Sequence, residues 1–186
     1  IIGKDLMPEQ QAAFRALLDL AQRTRRSAKG LPAQLDIRPH WSGVGFSLLG
    51  QRFVAPMGQV SEMLEVPGYT HLPNVQTWVK GVANVRGRLL PIYDMANFFG
   101  TSLSGHRKLR RVLVLEIGGL YTGLMVDQVF GMQHFPMDTY QEEAGHLPAE
   151  VKPFVEGCYP AGAHLWSVFN PATLATDERF ADAAMA

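Results

Sequence analysis

The sequence of 186 residues contains a single cysteine, Cys158, so an intrachain disulfide is impossible. This excludes a small extracellular scaffold held together by disulfides. A lone cysteine usually behaves as a small buried hydrophobic residue, and we interpret Cys158 in that way. No stretch approaches the roughly 20 apolar residues that cross a bilayer, and the first residues lack the basic and apolar segments of a secretory signal. We therefore expect a cytoplasmic protein without direct membrane insertion.

The sequence also has no excess of positive or of negative charge. Lys plus Arg and Asp plus Glu number 17 each, which gives a formal net charge of zero. Proteins that bind nucleic acid normally show a basic excess, because phosphate neutralisation supplies much of their affinity. The balance therefore argues against a nucleic-acid partner, although a small barrel that binds single strands is a minor alternative. Zero net charge also limits self-repulsion, which suits a protein that works inside an assembly.

The residue patterns of catalytic, nucleotide and metal sites are missing as well. Residues 43–45, Gly-Val-Gly, come closest to a phosphate-binding loop, but Leu48 stands where the third glycine is needed. Ser102 and Ser104 do not have the spacing of a nucleophile elbow. The six histidines form neither an HxxxH pair nor a cluster with cysteine. We expect no catalytic residue, no metal and no cofactor, and an enzyme with an unrecognised site is a minor alternative.

The first part of the chain carries a helical pattern. Apolar residues recur at intervals of three and four and form one stripe: Phe14, Leu17, Leu18 and Ala21. Pro8 suits the first helical position and Gly30 suits the C-terminal end. We predict a helix over residues 8–28 within a helical extension and linker that spans residues 1–38. The stripe is expected to dock onto the rest of the chain or onto a partner.

From residue 39 onward the pattern changes to short β segments separated by turns. Apolar residues alternate over 44–48, two hairpins are predicted around residues 86–88 and 118–119, and a final strand is predicted at 164–169. A helical segment is expected over 171–180. Long crossover helices are missing, so a parallel α/β sheet is excluded. Many short strands with turns every eight to twelve residues indicate small barrels or a sandwich.

One further helix is predicted between two of these strands. Asn74 is a good N-terminal cap, and the following residues support one or two helical turns through Val79. Gly81 is expected to end these turns with a positive φ angle. Asp127, after a later strand, is expected to hydrogen-bond locally in a turn.

Several short motifs then follow one another at fixed spacing. Residues 60–63 read VSEM, residues 72–73 read LP, and residues 78–94 read WVKGVANVRGRLLPIYD. Residues 121–129 read YTGLMVDQV. This series resembles the CheW family of chemotaxis coupling proteins, with its patterns V-x-E-I, I-P, F-I-K-G-V-x-N-L-R-G-x-I-x-P-I-x-D-L and V-G-x-x-V-D-x-V. The resemblance covers about residues 41–175, in order and without a large gap.

The resemblance implies an all-β fold over residues 39–180. Two SH3-like five-stranded β-barrels would pack together, with a short N-terminal helical extension and a C-terminal helix. Proteins of this family bridge the tip of a methyl-accepting chemoreceptor and the regulatory domain of a CheA-type histidine kinase without catalysing a reaction. We therefore expect a cytoplasmic adaptor that is recruited to membrane-bound receptor arrays. The N-terminal helix, with residues 30–34, 41–46 and 53–58, resembles the subgroup serving type IV pili and twitching motility; a flagellar coupling protein is the alternative.

The resemblance also places partner contacts in the segments that contain Val60, Glu62, Arg86, Gly87, Arg88 and Asp94. At a hairpin tip, Arg86 is free to form a two-point pair with a partner carboxylate. An internal salt bridge and a solvated side chain are the other interpretations of Arg86. Glu62 alternates with Met63 and Leu64 and is expected to point away from the core. Gly87 suits the turn of the hairpin, and Asp94 suits the N-terminal cap of a short helix.

Overall fold

A computed structural model describes residues 8–27 and 37–182 of the chain, and the side chains of 11–24 and 37–182. The chain divides into two compact units, Ile1–Arg38 and Pro39–Ala186. In the first unit, helix α1 spans Pro8–Ser27, close to the predicted 8–28; Gly30 and the linker through residue 36 lie outside the described residues. The stripe of α1 is exposed, by 61% at Phe14, 66% at Leu17 and 48% at Leu18. Its docking therefore stays a prediction.

The second unit is mostly β, as predicted. Its strands are β1 (His40–Leu48), β2 (Gln51–Pro56), β3 (Val60–Glu65), β4 (Val79–Val85), β5 (Arg88–Asp94), β6 (Arg111–Ile117), β7 (Leu120–Val126), β8 (Gln128–Pro136), β9 (Val155–Ala161) and β10 (His164–Phe169). Its short helices are α2 (Met95–Phe98), α3 (Ala172–Thr176) and α4 (Glu178–Ala181). None of the helices in the described part of the chain is long and apolar enough to cross a membrane.

The strands form two five-stranded sheets of similar construction. The first has the order β8-β1-β2-β10-β9 and the second the order β3-β6-β7-β5-β4. Each sheet contains antiparallel hairpins and one parallel pair, β10 with β2 in the first and β5 with β7 in the second. The hairpins predicted around residues 86–88 and 118–119 are the pairs β4–β5 and β6–β7. The predicted all-β class, with two five-stranded units and helical termini, is confirmed.

Each sheet encloses an apolar cluster of its own. The first sheet surrounds Val54, Phe135, Tyr159, Trp166 and Val168. The second sheet surrounds Ala83, Leu90, Ile92, Val112, Val114 and Met125. Alternate residues of a strand face opposite sides of its sheet. The residues that stand next to these along each strand therefore face the other side of the sheet, where a further cluster can form.

A third and larger cluster unites the two sheets. It contains Phe46 and Phe53 from the first sheet together with Leu113 and Leu124 from the second. The helical segment after β10 completes it, since the ring of Phe180 in α4 stacks on Trp78 with centroids 5.8 Å apart. The predicted helix over 171–180 is split into α3 and α4 because Asp177 caps the second piece, with its carboxylate accepting from the Arg179 and Phe180 amides.

The helix predicted from Asn74 is wrong. Asn74 lies in a bend with a positive φ of 53°, Val75 forms a β-bridge, and a turn at Thr77 and Trp78 leads into β4 at Val79. Gly81 lies inside β4 at a register shift, with a φ of 150°. Capping propensity is a local preference, and pairing with strand β5 overrides it here.

The segment that follows the edge strand β3 bonds to β4, the strand at the opposite edge of the second sheet. The Thr70 amide donates to the Val82 carbonyl over 2.9 Å, and the Val82 amide donates to the Thr70 carbonyl over 3.0 Å. A Cβ atom on Gly81 would overlap the Thr70 carbonyl oxygen. Glycine at position 81 is therefore required by this close approach.

Candidate partner-binding site

The residues expected to contact partners all belong to the second sheet. Val60 and Glu62 lie on β3, Arg86 and Gly87 form the β4–β5 turn, and Arg88 and Asp94 lie at the two ends of β5. β3 and β4 occupy opposite edges of this sheet. The candidate site therefore includes the place where the two edges approach each other.

The structure brings Glu62 and Arg86 into direct contact. Arg86 Nη1 donates to Glu62 Oε2 over 2.9 Å, and Arg86 Nη2 donates to Glu62 Oε1. The Arg86 side chain remains 76% exposed, and that of Glu62 is 26% exposed. Of the interpretations open for Arg86, the internal salt bridge is the one present, although most of the guanidinium still faces solvent.

The expectation that Glu62 points away from the core is wrong. Leu64 packs against the cluster inside the second sheet, and Glu62, two residues earlier, lies on the same side of β3. Met63 lies opposite Leu113 on the other face and is 44% exposed. β3 is an edge strand, so the interior face near Glu62 is open enough for its carboxylate to reach Arg86.

The β4–β5 turn has the backbone that a two-residue hairpin needs. Arg86 and Gly87 have φ angles of 52° and 79°, as in the type I′ turn that suits the twist of paired strands. The Gly87 amide donates to Asn84 Oδ1 over 2.9 Å. The turn therefore holds the Arg86 backbone in one conformation. The prediction that Gly87 suits the turn of the hairpin is confirmed.

Arg88 is held by Glu116 and Tyr121, two residues that no sequence motif indicated. Its Nη2 donates to Glu116 Oε1 over 3.1 Å, and its guanidinium lies 3.7 Å from the centre of the Tyr121 ring. The hydrogen bond to Glu116 raises the pKa of Arg88. Glu116 and Tyr121 are paired across the β6–β7 hairpin. A two-residue turn at 118–119 implies that register, so the sequence was sufficient to predict that Glu116 lies opposite Tyr121.

Asp94 is a buried structural residue, with 6% exposure. Its Oδ1 accepts from the Asn97 amide over 2.9 Å and so caps α2, as predicted. Its Oδ2 lies 3.6 Å from Lys80 Nζ. Val60 is partly buried and packs against the large shared cluster. Asp94, at the far end of β5 from Arg88, and Val60 therefore have structural contacts, whereas the side chains of Arg86 and Arg88 are exposed.

Asp127 does not form the local bond that was expected. Its Oδ2 accepts from Ser104 Oγ over 3.1 Å, and its amide donates to the Ser47 carbonyl over 3.1 Å. Burial raises the pKa of Asp127, although the bond from Ser104 and the charge of Arg110 oppose the rise. Asp127 therefore ties a loop to the end of β7 and lies inside the fold.

Cys158 is fully buried, in agreement with its interpretation as a small hydrophobic residue. Burial raises the pKa of its thiol, which keeps the sulfur protonated and unreactive near neutral pH. Within residues 8–27 and 37–182, no three His, Cys, Asp or Glu side chains are grouped so that they could hold a metal ion.

Comparison with known proteins adds an independent line of evidence. Residues 42–179 match the model of the CheW-like domain family. The chain is 53% identical to Protein PilI of Pseudomonas aeruginosa over 179 residues, which cover 96% of this chain and all of that protein. It is 26% identical to the chemotaxis protein CheW of Helicobacter pylori over 113 residues, 61% of this chain and 68% of that protein.

A solved structure shares the fold. The scaffolding protein TtCheW of Thermoanaerobacter tengcongensis superposes with a TM-score of 0.62 at 24% identity, over 70% of this chain and 89% of that one. At this identity the similarity bears on the fold alone. The family model, over residues 42–179, spans most of the two-sheet unit Pro39–Ala186.

Proposed function

The chain belongs to the CheW-like domain family, and we propose that it is an adaptor that couples a methyl-accepting chemoreceptor to a CheA-type histidine kinase. The observation that carries the proposal is the 53% identity with PilI over 96% of the chain. Adaptor specificity is spread over a surface, so similarity along the whole length supports a shared role better than one motif does. We further propose that the pathway controls type IV pili and twitching motility, and that the adaptor is cytoplasmic and joins receptor arrays at the membrane.

The β4–β5 tip, residues 86–89, is the contact surface that we propose for one of the two partners. Arg86 and Arg88 side chains are 76% and 54% exposed, and Leu89 beside them is 70% exposed. The two cations suit a partner carboxylate, and Leu89, on the opposite face of β5 from Arg88, offers a separate apolar contact. The tip is therefore chemically equipped for a protein partner.

Glu62 gives this tip a defined conformation before a partner arrives. It holds two of the Arg86 nitrogens, and Glu116 and Tyr121 hold Arg88. A side chain that is already ordered loses less conformational entropy on binding. In this proposal, Glu62 acts by positioning Arg86, whereas the remaining Arg86 donors contact the partner.

Coupling of this kind requires no chemical step. An adaptor transmits a signal if it binds more tightly to one state of its partners than to the other. We accordingly propose that no bond is made or broken by this chain, and that the receptor and the kinase regulatory domain contact separate faces of the two-sheet unit.

The proposal is tested by titration and by recovery from the native cell. The purified chain is titrated against the isolated regulatory domain of the kinase and against the receptor tip, and an affinity-tagged copy is purified from native cells. We expect saturable binding to both and co-purification of the pilus kinase. Absence of binding to both partners in titration would overturn the adaptor role, whereas recovery of a flagellar kinase alone would overturn the pilus assignment.

A further inference from the structure

A cavity of about 270 Å³ opens in the first sheet, whereas the candidate partner-binding residues belong to the second sheet. Three of the residues that line it are aromatic, Trp41, Tyr140 and Tyr159, and the others are Pro56, Met137, Glu156 and Val168. Pockets for small organic ligands usually measure about 300–1,000 Å³. The cavity is therefore matched to a single side chain better than to a metabolite or cofactor.

The aromatic walls form a continuous surface. The Trp41 and Tyr159 rings stack with centroids 5.2 Å apart and planes inclined by 23°. The Tyr140 ring lies 5.2 Å from Tyr159, inclined by 57°. The three rings therefore pack against one another where they line the cavity, and the face of an aromatic ring attracts a cation.

Two glycines allow the walls to stand where they do. A Cβ atom on Gly43 would lie 2.8 Å from the Trp41 ring, and a Cβ atom on Gly157 would overlap the hydroxyl of Tyr140. That hydroxyl donates to the backbone carbonyl of Glu156 over 3.1 Å. The position of both rings therefore depends on the backbone as well as on packing, so the cavity is built into the fold.

The charge at the opening is negative. Glu156 Oε1 accepts from Asn170 Nδ2 over 2.6 Å, and no lysine or arginine of the described residues lines the cavity. Burial raises the pKa of Tyr140, and the nearby carboxylates of Glu156 and Glu142 raise it further. Glu156 is the one charged residue among those that line the cavity, so an anion would be repelled here and a cation attracted.

We propose that this cavity binds one cationic side chain, arginine or lysine, from a protein partner. The cation would lie against the Trp41 and Tyr140 rings and pair with Glu156 at the rim. Cation–π contacts are strongest with tryptophan and are more often made by arginine, whose flat guanidinium stacks on a ring. The proposal does not depend on the kinase or the receptor, because it follows from the chemistry of the cavity alone.

Short peptides test the proposal on the full chain. The probes are acetyl-Gly-Arg-Gly-amide and its norleucine and glutamate counterparts, and the signal is the indole N–H resonance of Trp41 in a ¹⁵N-labelled sample. We expect the arginine peptide to shift this resonance in a saturable manner, the norleucine peptide to bind more weakly and the glutamate peptide not to bind. Equal shifts by the arginine and norleucine peptides, or no shift by either, would overturn the proposal.

Two glutamate variants test whether the carboxylate of Glu156 contributes to peptide binding. Glu156→Gln keeps the size of the side chain and removes its charge, and we expect arginine-peptide binding to weaken roughly 2- to 5-fold, as for an exposed ion pair. Glu150→Gln is the matched control, because Glu150 is exposed and does not line this cavity. Unchanged binding by Glu156→Gln, or equal weakening by Glu150→Gln, would also overturn the proposal. The comparison of peptides on the unmodified chain stays decisive if the Glu156 variant fails to fold.

Discussion

Arg86 and Glu62 form a two-point ion pair that joins the opposite edges of the second sheet. One bond of the pair, from Arg86 Nη1 to Glu62 Oε2, measures 2.9 Å. Glu62 lies on β3 and Arg86 follows β4, and these strands stand at the two ends of the order β3-β6-β7-β5-β4. β3 and β4 are not neighbours in the sheet, so the pair links two strands that are not paired through their backbones. The arginine proposed to contact a partner is thus also part of the closure of its own barrel.

Loss of the pair is expected to cost little stability. Arg86→Ala should lower the free energy of unfolding by about 0.2–1 kcal/mol, because Arg86 is mostly exposed and solvent screens the interaction. The melting temperature should fall by no more than about 4 °C. Denaturant titration measures the change, with Arg107→Ala as control at another exposed arginine. A loss of several kcal/mol would show that the pair is a principal element of the barrel.

A charge exchange separates the two roles of Arg86. Arg86→Glu places like charges together, and if the tip contacts a desolvated partner carboxylate it should also weaken binding by at least about 30-fold, which corresponds to 2 kcal/mol or more. Combining it with Glu62→Arg restores an internal pair and should recover the stability but not the binding. Calorimetric titration and thermal melting measure both. Recovery of binding in the double variant would mean that the pair matters only for folding.

Gly81 is expected to tolerate no side chain. Gly81→Ala introduces a Cβ that overlaps the Thr70 carbonyl oxygen and forces alanine to a φ of 150°, so we expect a loss of more than about 3 kcal/mol in unfolding free energy. Gly50→Ala is the control: its φ is 70°, but a Cβ there meets open space, and it should cost only about 1–2 kcal/mol. Equal losses in the two variants would contradict the closure through Thr70.

The carboxyl of Asp127 is expected to oppose stability at neutral pH. Burial raises its folded pKa above the ordinary value of 3.8, so folding costs free energy when the group is ionised. This cost is absent below pH 3.8 and grows as the pH rises through the folded pKa. Asp127→Asn keeps an acceptor for Ser104 and should therefore raise the melting temperature at pH 7 but not at pH 3. A variant that is less stable at pH 7 would show that the charge of Arg110 outweighs burial.

The two-sheet unit is expected to fold without the first 38 residues. The three core clusters consist of residues between Trp41 and Phe180, all within the second unit, Pro39–Ala186. A chain of residues 39–186 should therefore keep a cooperative calorimetric transition. Replacement of Phe14, Leu17 and Leu18 by serine in the full chain should leave that transition unchanged. A truncated chain without a transition would place α1 in the folding unit.

The sequence by itself determined the elements whose signals are local. The hairpins around residues 86–88 and 118–119 followed from their glycines and the flanking β segments, and helix α1 followed from its 3.6-residue period, because both patterns depend on neighbours along the chain. The family resemblance supplied the arrangement of the sheets, which no single motif implies. Asp94 as a helix cap was also predictable, since capping is settled within three residues.

Only the tertiary structure decided which side chains meet. Glu62 and Arg86 are 24 residues apart in the sequence, and their contact exists because the edges of a five-stranded sheet curve toward each other. The helix expected after Asn74 failed for a related reason: pairing of Val79 with Tyr93 outweighed a local cap. The aromatic cavity joins Trp41 to Tyr140 and Tyr159 through sheet register and two glycines. Contacts of this kind depend on sheet closure, and alternation along one strand carries no information about it.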